Sequence, residues 1–447
     1  MDRSDMGLHV PVLDASEVEH RALHKVKRYV LTYIVVGQLF YQLCRTNIGF
    51  AQLTMGQALG LKAEAFGFAS GIFAFSAFLM QVPAGLLLEK FGARRWLTFN
   101  MAAWGLVVVA QAFVNNGVQL AVLRFLLGVF EAGFLPGVFV LISIWFRRRD
   151  QGTATSFVQM GLGISALVGS PFAGWILDKT FLGLVGWRSL FLIEGALAFL
   201  WALLALRILN DDPATTAWLD GEERQFMVKF LGEDQARKAE SGAIVTSSLS
   251  SVLKDPRVLT LLAAFALSGW VAGTFIFFNP MLLKRVNAGV SNQTVGLLAM
   301  FPYVLSAAAA YFWGRHADRT ERHWHCVLPC LVAAAGMLLY PFARTPLVAT
   351  VCLSIVQIGN GCFYCSFWPS CNLVVGRQAV AKATALFQAG NLLCSFTAPI
   401  FFGWMLDRTR SPALGLDTAA GTMLLIFLLM NVFFYRYKAQ QRTLASA

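Results

Sequence analysis

Four ionisable side chains interrupt apolar stretches of this chain: Arg45, Arg124, Glu131 and Glu194. A charge held at the centre of a membrane helix costs a few kcal/mol even on lenient insertion scales, so each such group points to a function or a partner. Arg45 ends the run YVLTYIVVGQLFYQLC. Its planar guanidinium keeps its charge and offers two oxygens a matched pair of donors, which suits it to a carboxylate ligand; the competing role is an anchor that snorkels to the nearer surface. Glu131 lies in FEAGF and reads as a proton carrier, a carboxyl that prefers protonation in a dry cavity and ionises when water or Arg45 approaches. Arg124 and Glu131 are seven apart, two helical turns or ~10 Å, too far for a direct bond along one helix. Arg124 therefore faces either the cavity or a structural neighbour. Glu194, in WRSLFLIEG, is expected to be structural, near Arg188.

The elements that carry these groups are membrane spans. Of 447 residues 57% are hydrophobic and 13% charged, too apolar for a soluble globule. Twelve apolar runs of about 20 residues, enough to cross the hydrocarbon as helices, extend from 29–51 to 415–435, with Arg124 and Glu131 in the run 118–145. Residues 1–28 lack the apolar core of a signal peptide. Of the 36 Lys and Arg, 26 fall in the segments that an even number of spans puts with the N-terminus and 8 in the opposite loops. The positive-inside rule then predicts cytoplasmic termini in a cell membrane. The net charge of +12 follows from these basic loops beside anionic lipid and calls for no nucleic-acid partner. The eight cysteines avoid the long outer connections and are expected to be reduced. Cys362 and Cys365 read as buried small hydrophobes, and the group His323, His325, Cys326 and Cys330 as interfacial packing, so no metal or other cofactor is expected.

The chain repeats itself at one spacing. GLLLEKFGARR (85–95) is echoed by GRHADRTER (314–322), which aligns Gly85 with Gly314 and Glu89 with Asp318, 229 residues apart. PFAGWILDKT and PIFFGWMLDRT align Gly174 with Gly403 and Asp178 with Asp407 at the same offset, as do Gln159 with Gln388. The predicted fold is all-α and membrane-integral, with twelve helices in two parallel six-helix halves: a tail 1–28, bundles 29–209 and 257–436, a linker 210–256 carrying one surface helix, and a tail 437–447. Parallel repeats with a pathway between them suit a secondary transporter that works by alternating access.

On these motifs the sequence resembles the major facilitator superfamily, whose signature between the second and third helices is similar to GLLLEKFGARR, with Glu89 where Asp is usual. NIGFA, RFLLGVFEAGFLPG, GWRSLFLIEG and AWLDGEER resemble, more narrowly, the anion:cation symporter family of organic-acid and sugar-acid carriers. The resemblance implies that Arg45 belongs to the anion site and that Asn391 contacts substrate hydroxyls. It also exposes a departure, since the family typically has Asp as a second protonation site where this chain has Cys44. By their charge, Gly85, Glu89, Arg94 and Arg95, with the echo Asp318, Arg319 and Arg322, are expected to gate the inner face, against the simpler role of topogenic charge.

The remaining candidates are uncharged. Tyr364 and Trp368, with Phe363 and Phe367, could stack on an aromatic acid or on the apolar face of a sugar acid, and Gln159, Gln388 and Asn391 are available to bond substrate hydroxyls. With no GxxxxGK[ST] motif, the function that these readings predict is import of a small organic anion driven by protons, with sodium as the alternative coupling ion, by a monomer that is not an enzyme. An exporter of drugs or neutral solutes and a non-transporting sensor share the same fold and stay open.

Overall fold

In a computed structural model the chain is described over residues 15–240, 255–287, 289–320, 323–374 and 380–446. Lipid offers no hydrogen bonds, so the backbone satisfies itself in helices. After α1 (Ala15–Val26) and a π turn (Lys27–Leu31), the spans of the first half are α2 (Thr32–Ala58), α3 (Ala63–Phe91), α4 (Ala93–Gln111), the pair α5 (Gly117–Glu131) and α6 (Phe134–Trp145), α7 (Arg148–Leu177) and α8 (Gly186–Ile208). A two-stranded turn, β1 (Thr180–Phe181) with β2 (Leu184–Val185), joins α7 to α8. Beyond α9 (Gly221–Glu240) come α10 (Pro256–Val286), α11 (Asn292–Thr320), α12 (Trp324–Leu339), α13 (Pro346–Asn372), α14 (Val380–Thr409) and α15 (Ala413–Ser446). Counting α5 and α6 as one, the described residues make twelve spans in two six-helix halves. Ten are long and apolar enough to cross a membrane on composition alone; α2, with its glutamines and Arg45, and the short α4 are the polar exceptions.

The fourth span breaks where its sequence requires. Pro136 has no N–H for the Ala132 carbonyl, and the chain turns at Ala132 and Gly133 before α6 begins. Glu131 thereby becomes the last residue of α5. A side chain on Gly133 would run into the Trp96 indole, 2.5 Å from its Nε1.

Among its described residues the segment between the halves contains one α-helix, α9, and it docks against α1. Asp220 and Glu223 form a reciprocal capping box, Glu223 N–H donating to Asp220 (2.9 Å) and Asp220 N–H to the Glu223 carboxylate (3.0 Å). The same carboxylate takes the Lys25 ammonium at 2.6 Å. Trp218 stacks between Tyr29 and Trp145, at 4.9 and 5.1 Å. All eight cysteines are free thiols.

The halves meet at the face opposite to the termini, here the distal face, through two contacts related by the repeat. Asn292, opening α11, donates to Asp178 at the end of α7 (2.7 Å). The equivalent residues at the 229 spacing are Ala63, opening α3, and Asp407 near the end of α14; there the Asp407 carboxylate caps the Ala63 and Glu64 N–H groups at 3.1 and 2.8 Å. Glycines let the backbones touch beside each carboxylate. A Cβ on Gly296 would lie 2.9 Å from the Gly174 Cα, and one on Gly403 3.0 Å from the Glu64 Cα. Gly67 and Gly71 of α3 press on the Pro399 and Phe396 carbonyls of α14 in the same way. At the face that carries the termini, Gly85 borders open space and Glu89 is exposed.

Gly296→Leu forces side-chain atoms into the α7 backbone. Overpacking of this kind costs about 1–3 kcal/mol, and 1.4 kcal/mol is a tenfold change in population, so the closed distal arrangement should lose its majority. Electron–electron distance measurements between labels at positions 179 and 293 should lengthen in the variant; an unchanged distribution would show that the glycine does not control closure.

Candidate functional site

Arg45 lies in the middle of α2, thirteen residues from either end, or ~20 Å along the axis. Its side chain is partly exposed, donates a long bond to the Tyr41 hydroxyl (3.4 Å), and has an Nε without a partner. No carboxylate pairs with it among the described residues. The guanidinium lies over the Phe73 ring at 5.0 Å.

Arg124 is fully buried. From α5 it reaches across to α2 and donates to the main-chain carbonyls of Cys44 (3.4 Å) and Arg45 (3.1 Å). Its guanidinium also lies over Phe73, at 5.3 Å, and over Phe277 of α10 at 5.8 Å. Phe73 thus has two cations on one ring, each contact supplying about 0.5–2 kcal/mol against the cost of holding charge away from water. Gly128 makes room for this: a Cβ there would strike the Phe73 carbonyl and the Ser76 hydroxyl, so α3 and α5 approach closely enough to bring the ring within reach of both arginines.

Glu131 lies within the fields of both arginines, yet its two carboxylate oxygens are buried with no hydrogen-bond partner among the described residues. It also ends a helix, where the last carbonyls carry partial negative charge. Ionising it there requires a counter-charge or water. Glu194 is buried too, but Arg188 is not its neighbour: Arg188 donates to the Ala112 and Val114 carbonyls and to Asn115. Glu194 instead accepts from Asn47 at 2.8 Å, one turn from Cys44 on α2.

The second half faces these charges with uncharged polar groups. Asn391 of α14 donates to the Ser268 hydroxyl, the Tyr364 hydroxyl (both 3.2 Å) and the Phe265 carbonyl (3.0 Å), and Ser268 donates to Tyr364 at 3.1 Å. This knot ties α10, α13 and α14 together. Trp368 packs with Phe265, Phe367 and Phe387 at 5.1 to 6.5 Å, so much of its ring is spent on aromatic contacts. Gln388 is partly buried, one turn before Asn391.

The side chains of Gln159 and Asp318, and Arg322 as a whole, lie outside the described residues. Arg319 is exposed. In the motif 85–95, Glu89 does not reach Arg94 or Arg95. Arg94 is turned to the end of α8 instead, its guanidinium on the Leu206 carbonyl and its N–H on the Asp211 carboxylate (2.7 Å), while Arg95 is exposed. Gly92, with φ of 78°, makes that turn, and a side chain on it would collide with Asp211. Of the histidines and cysteines, His325 bonds His316 (2.7 Å) and Cys330 the Cys326 carbonyl (3.7 Å), and no group of three metal-ligating side chains occurs among the described residues. Sequence reading missed Phe73, Phe277, Ser268 and Asn47. Phe73 is one of 38 phenylalanines, and nothing local marks it. Asn47 had a signal, a buried amide one turn from Cys44 with an unpartnered acid elsewhere in the half.

A family model described as Major Facilitator Superfamily matches residues 34–399 and 286–445. A protein of Agrobacterium vitis named for tartrate transport is 36% identical over 412 residues, 91% of this chain and 93% of that one. A quinolone resistance transporter of Acinetobacter baumannii is 28% identical over 95% of this chain and 98% of its own. Among solved structures, a bacterial homologue of the human lysosomal transporter Spinster superposes with a TM-score of 0.71 at 17% identity, covering 93% of this chain and 97% of that one.

The shared ring predicts coupling between the two cations. Phe73→Leu should destabilise the protein in detergent by about 1–2 kcal/mol, and in an Arg45→Gln background by at least about 0.5 kcal/mol less. A thermal-unfolding double-mutant cycle measures this; strict additivity would remove the ring from the site.

Proposed function

The chain belongs to the major facilitator superfamily, and from that footing we propose that it imports a small organic anion across the cell membrane by proton symport, with both termini in the cytoplasm. The observation that carries this reading is Arg45, a guanidinium at the middle of a membrane helix, partly exposed and paired with no acid among the described residues. A carboxylate that enters between the halves supplies the missing charge. The relative named for tartrate transport supports an organic acid as that ligand.

In this reading Arg124 fixes the α2 backbone beneath Arg45 and adds its charge to the field that draws the anion. Glu131 carries the proton: with its oxygens unpaired and both cations near, it gains a proton when the cavity is dry and yields it when water enters. Tyr364, Asn391, Gln388, Gln159 and Trp368 shape selectivity. The distal closure is then periplasmic, and the motif of Gly85, Glu89, Arg94 and Arg95, with Asp318, Arg319 and Arg322, closes the cytoplasmic face when the halves rock. The quinolone resistance relative favours one second reading, an exporter on the same architecture.

Two substitutions test the site in proteoliposomes. Arg45→Lys keeps the charge but loses the two-pronged geometry, so carboxylate affinity should fall at least about tenfold; unchanged affinity excludes Arg45 from binding. Glu131→Gln should abolish accumulation driven by an imposed proton gradient while counterflow of labelled anion persists. Gradient-driven accumulation at the wild-type rate would take the carrier role from Glu131, and accumulation that follows sodium would replace the proton.

A further inference from the structure

One buried acid has no part in the transport reading. Glu194 projects from α8 into the first half, 2% exposed, and its carboxylate accepts from the Asn47 amide of α2 at 2.8 Å. No cation pairs with it among the described residues, and Arg188 is spent on the Ala112 and Val114 carbonyls. A buried carboxyl on a single neutral donor is a costly way to fill space, where a leucine would pack without that cost. The pair therefore calls for another purpose. Asn47 is buried to the same degree and its amide oxygen has no partner among the described residues, so the bond to Glu194 is what orients it.

The platform behind Glu194 is rigid. The next residue, Gly195, crosses Gly105 of α4 with the two backbones in contact: a Cβ on Gly195 would lie 2.7 Å from the Gly105 oxygen, and one on Gly105 2.9 Å from the Gly195 oxygen. About four turns before Asn47, on nearly the same side of α2, Tyr33 stacks on Trp201 of α8 at 5.9 Å and its hydroxyl donates to the Met101 sulfur of α4 at 3.6 Å. One face of α2 is thus fixed to α4 and α8 at two levels.

Arg45 is on the other face. Two residues separate it from Asn47, about 200° around the helix. Gly49, one turn beyond Arg45 and on its side, meets the second half, where a Cβ would lie 2.8 Å from the Phe277 carbonyl of α10. The face that carries Arg45 therefore looks to the other half. Arg124 holds the α2 backbone from α5, at the Cys44 and Arg45 carbonyls, and the bond between Asn47 and Glu194 holds it from α8. A two-pronged contact tolerates only about 0.5 Å or 10–20° of error, so the rotation of α2 about its axis has to be set.

We propose that Asn47 and Glu194 are positioning residues for the anion site: they hold α2 from behind, so that Arg45 presents its guanidinium squarely to a carboxylate between the halves. The inference rests on the reading of Arg45 as the carboxylate partner.

The test is calorimetric titration of the purified full chain with tartrate, gluconate and benzoate, the tightest binder being carried through the variants. Glu194→Gln and Glu194→Met match in length and differ in whether they offer the Asn47 amide an acceptor. Affinity should stay within about threefold of the wild type in Glu194→Gln and fall about tenfold in Glu194→Met. In an Arg45→Lys background, where the two-pronged geometry is already gone, Glu194→Met should cost less than about twofold. Asn47→Leu combined with Glu194→Leu leaves no group unpaired and so spares the fold; it should reproduce the Glu194→Met loss and its dependence on Arg45. Wild-type affinity in both of these variants, a loss in Glu194→Gln as large as in Glu194→Met, or an equal loss in the Arg45→Lys background overturns the positioning role and leaves the anion site standing. Affinity unchanged by Arg45→Lys, or no binding of any of the three acids to the wild type, overturns both.

Discussion

Two guanidinium groups with no acidic partner among the described residues, held within the first half, set the terms for the rest of this molecule. Arg45 is thirteen residues from either end of α2 and Arg124 is fully buried, so neither meets the membrane surface by extending along its helix. The protein meets the cost with what uncharged groups can give: the carbonyls of Cys44 and Arg45 for Arg124, the Tyr41 hydroxyl for Arg45, and one phenylalanine ring for both. These contacts are partial by nature. Cation–π contacts and hydrogen bonds to carbonyls ease a buried charge but do not neutralise it, and Glu131, an acid near both of them, hydrogen-bonds to neither among the described residues. On the proposed function, a chamber poised in this way favours an incoming anion, and the charge state of its carboxyl depends on what has arrived.

The same economy governs how the halves meet. The distal contacts are short, repeat-related and made largely of backbone: carboxylates on helix N-termini or on an asparagine, and glycines against carbonyls. Few side chains need to reorganise to make or break them. Two carboxylates, Asp178 and Asp407, hold repeat-related corners of one closure, the first on an asparagine amide and the second on two backbone N–H groups. On the face that carries the termini, α1 and α9 pack on each other through Lys25 and Glu223, which ties the connection between the halves to the first of them.

The two halves share a fold and divide the chemistry. The first holds the cations and the buried acids, the second an aromatic and amide wall without charge. On the proposed function, such a division orients a ligand held between them, with a carboxylate toward the cations of the first half.

Much of the architecture was legible in the sequence because membrane helices are specified locally. Run length gives the spans, basic residues divide the loops into two classes, and the offset of 229 gives the parallel halves. The intramembrane charges could be picked out for the same reason: in an apolar run a single Arg or Glu needs no context to be noticed. What each charge touches could not be read, because those contacts join helices distant along the chain. Arg124 on the α2 carbonyls, Phe73 between two cations, Glu194 with Asn47 in place of Arg188, and Arg94 turned to Asp211 in place of Glu89 are all products of packing. The break after Glu131 lies between, encoded by Pro136 yet expressed only once Trp96 packs against Gly133. Residue types and their order fixed which charges enter the membrane and in how many helices; the approach of those helices, set by small residues at their crossings, decided which groups share a site.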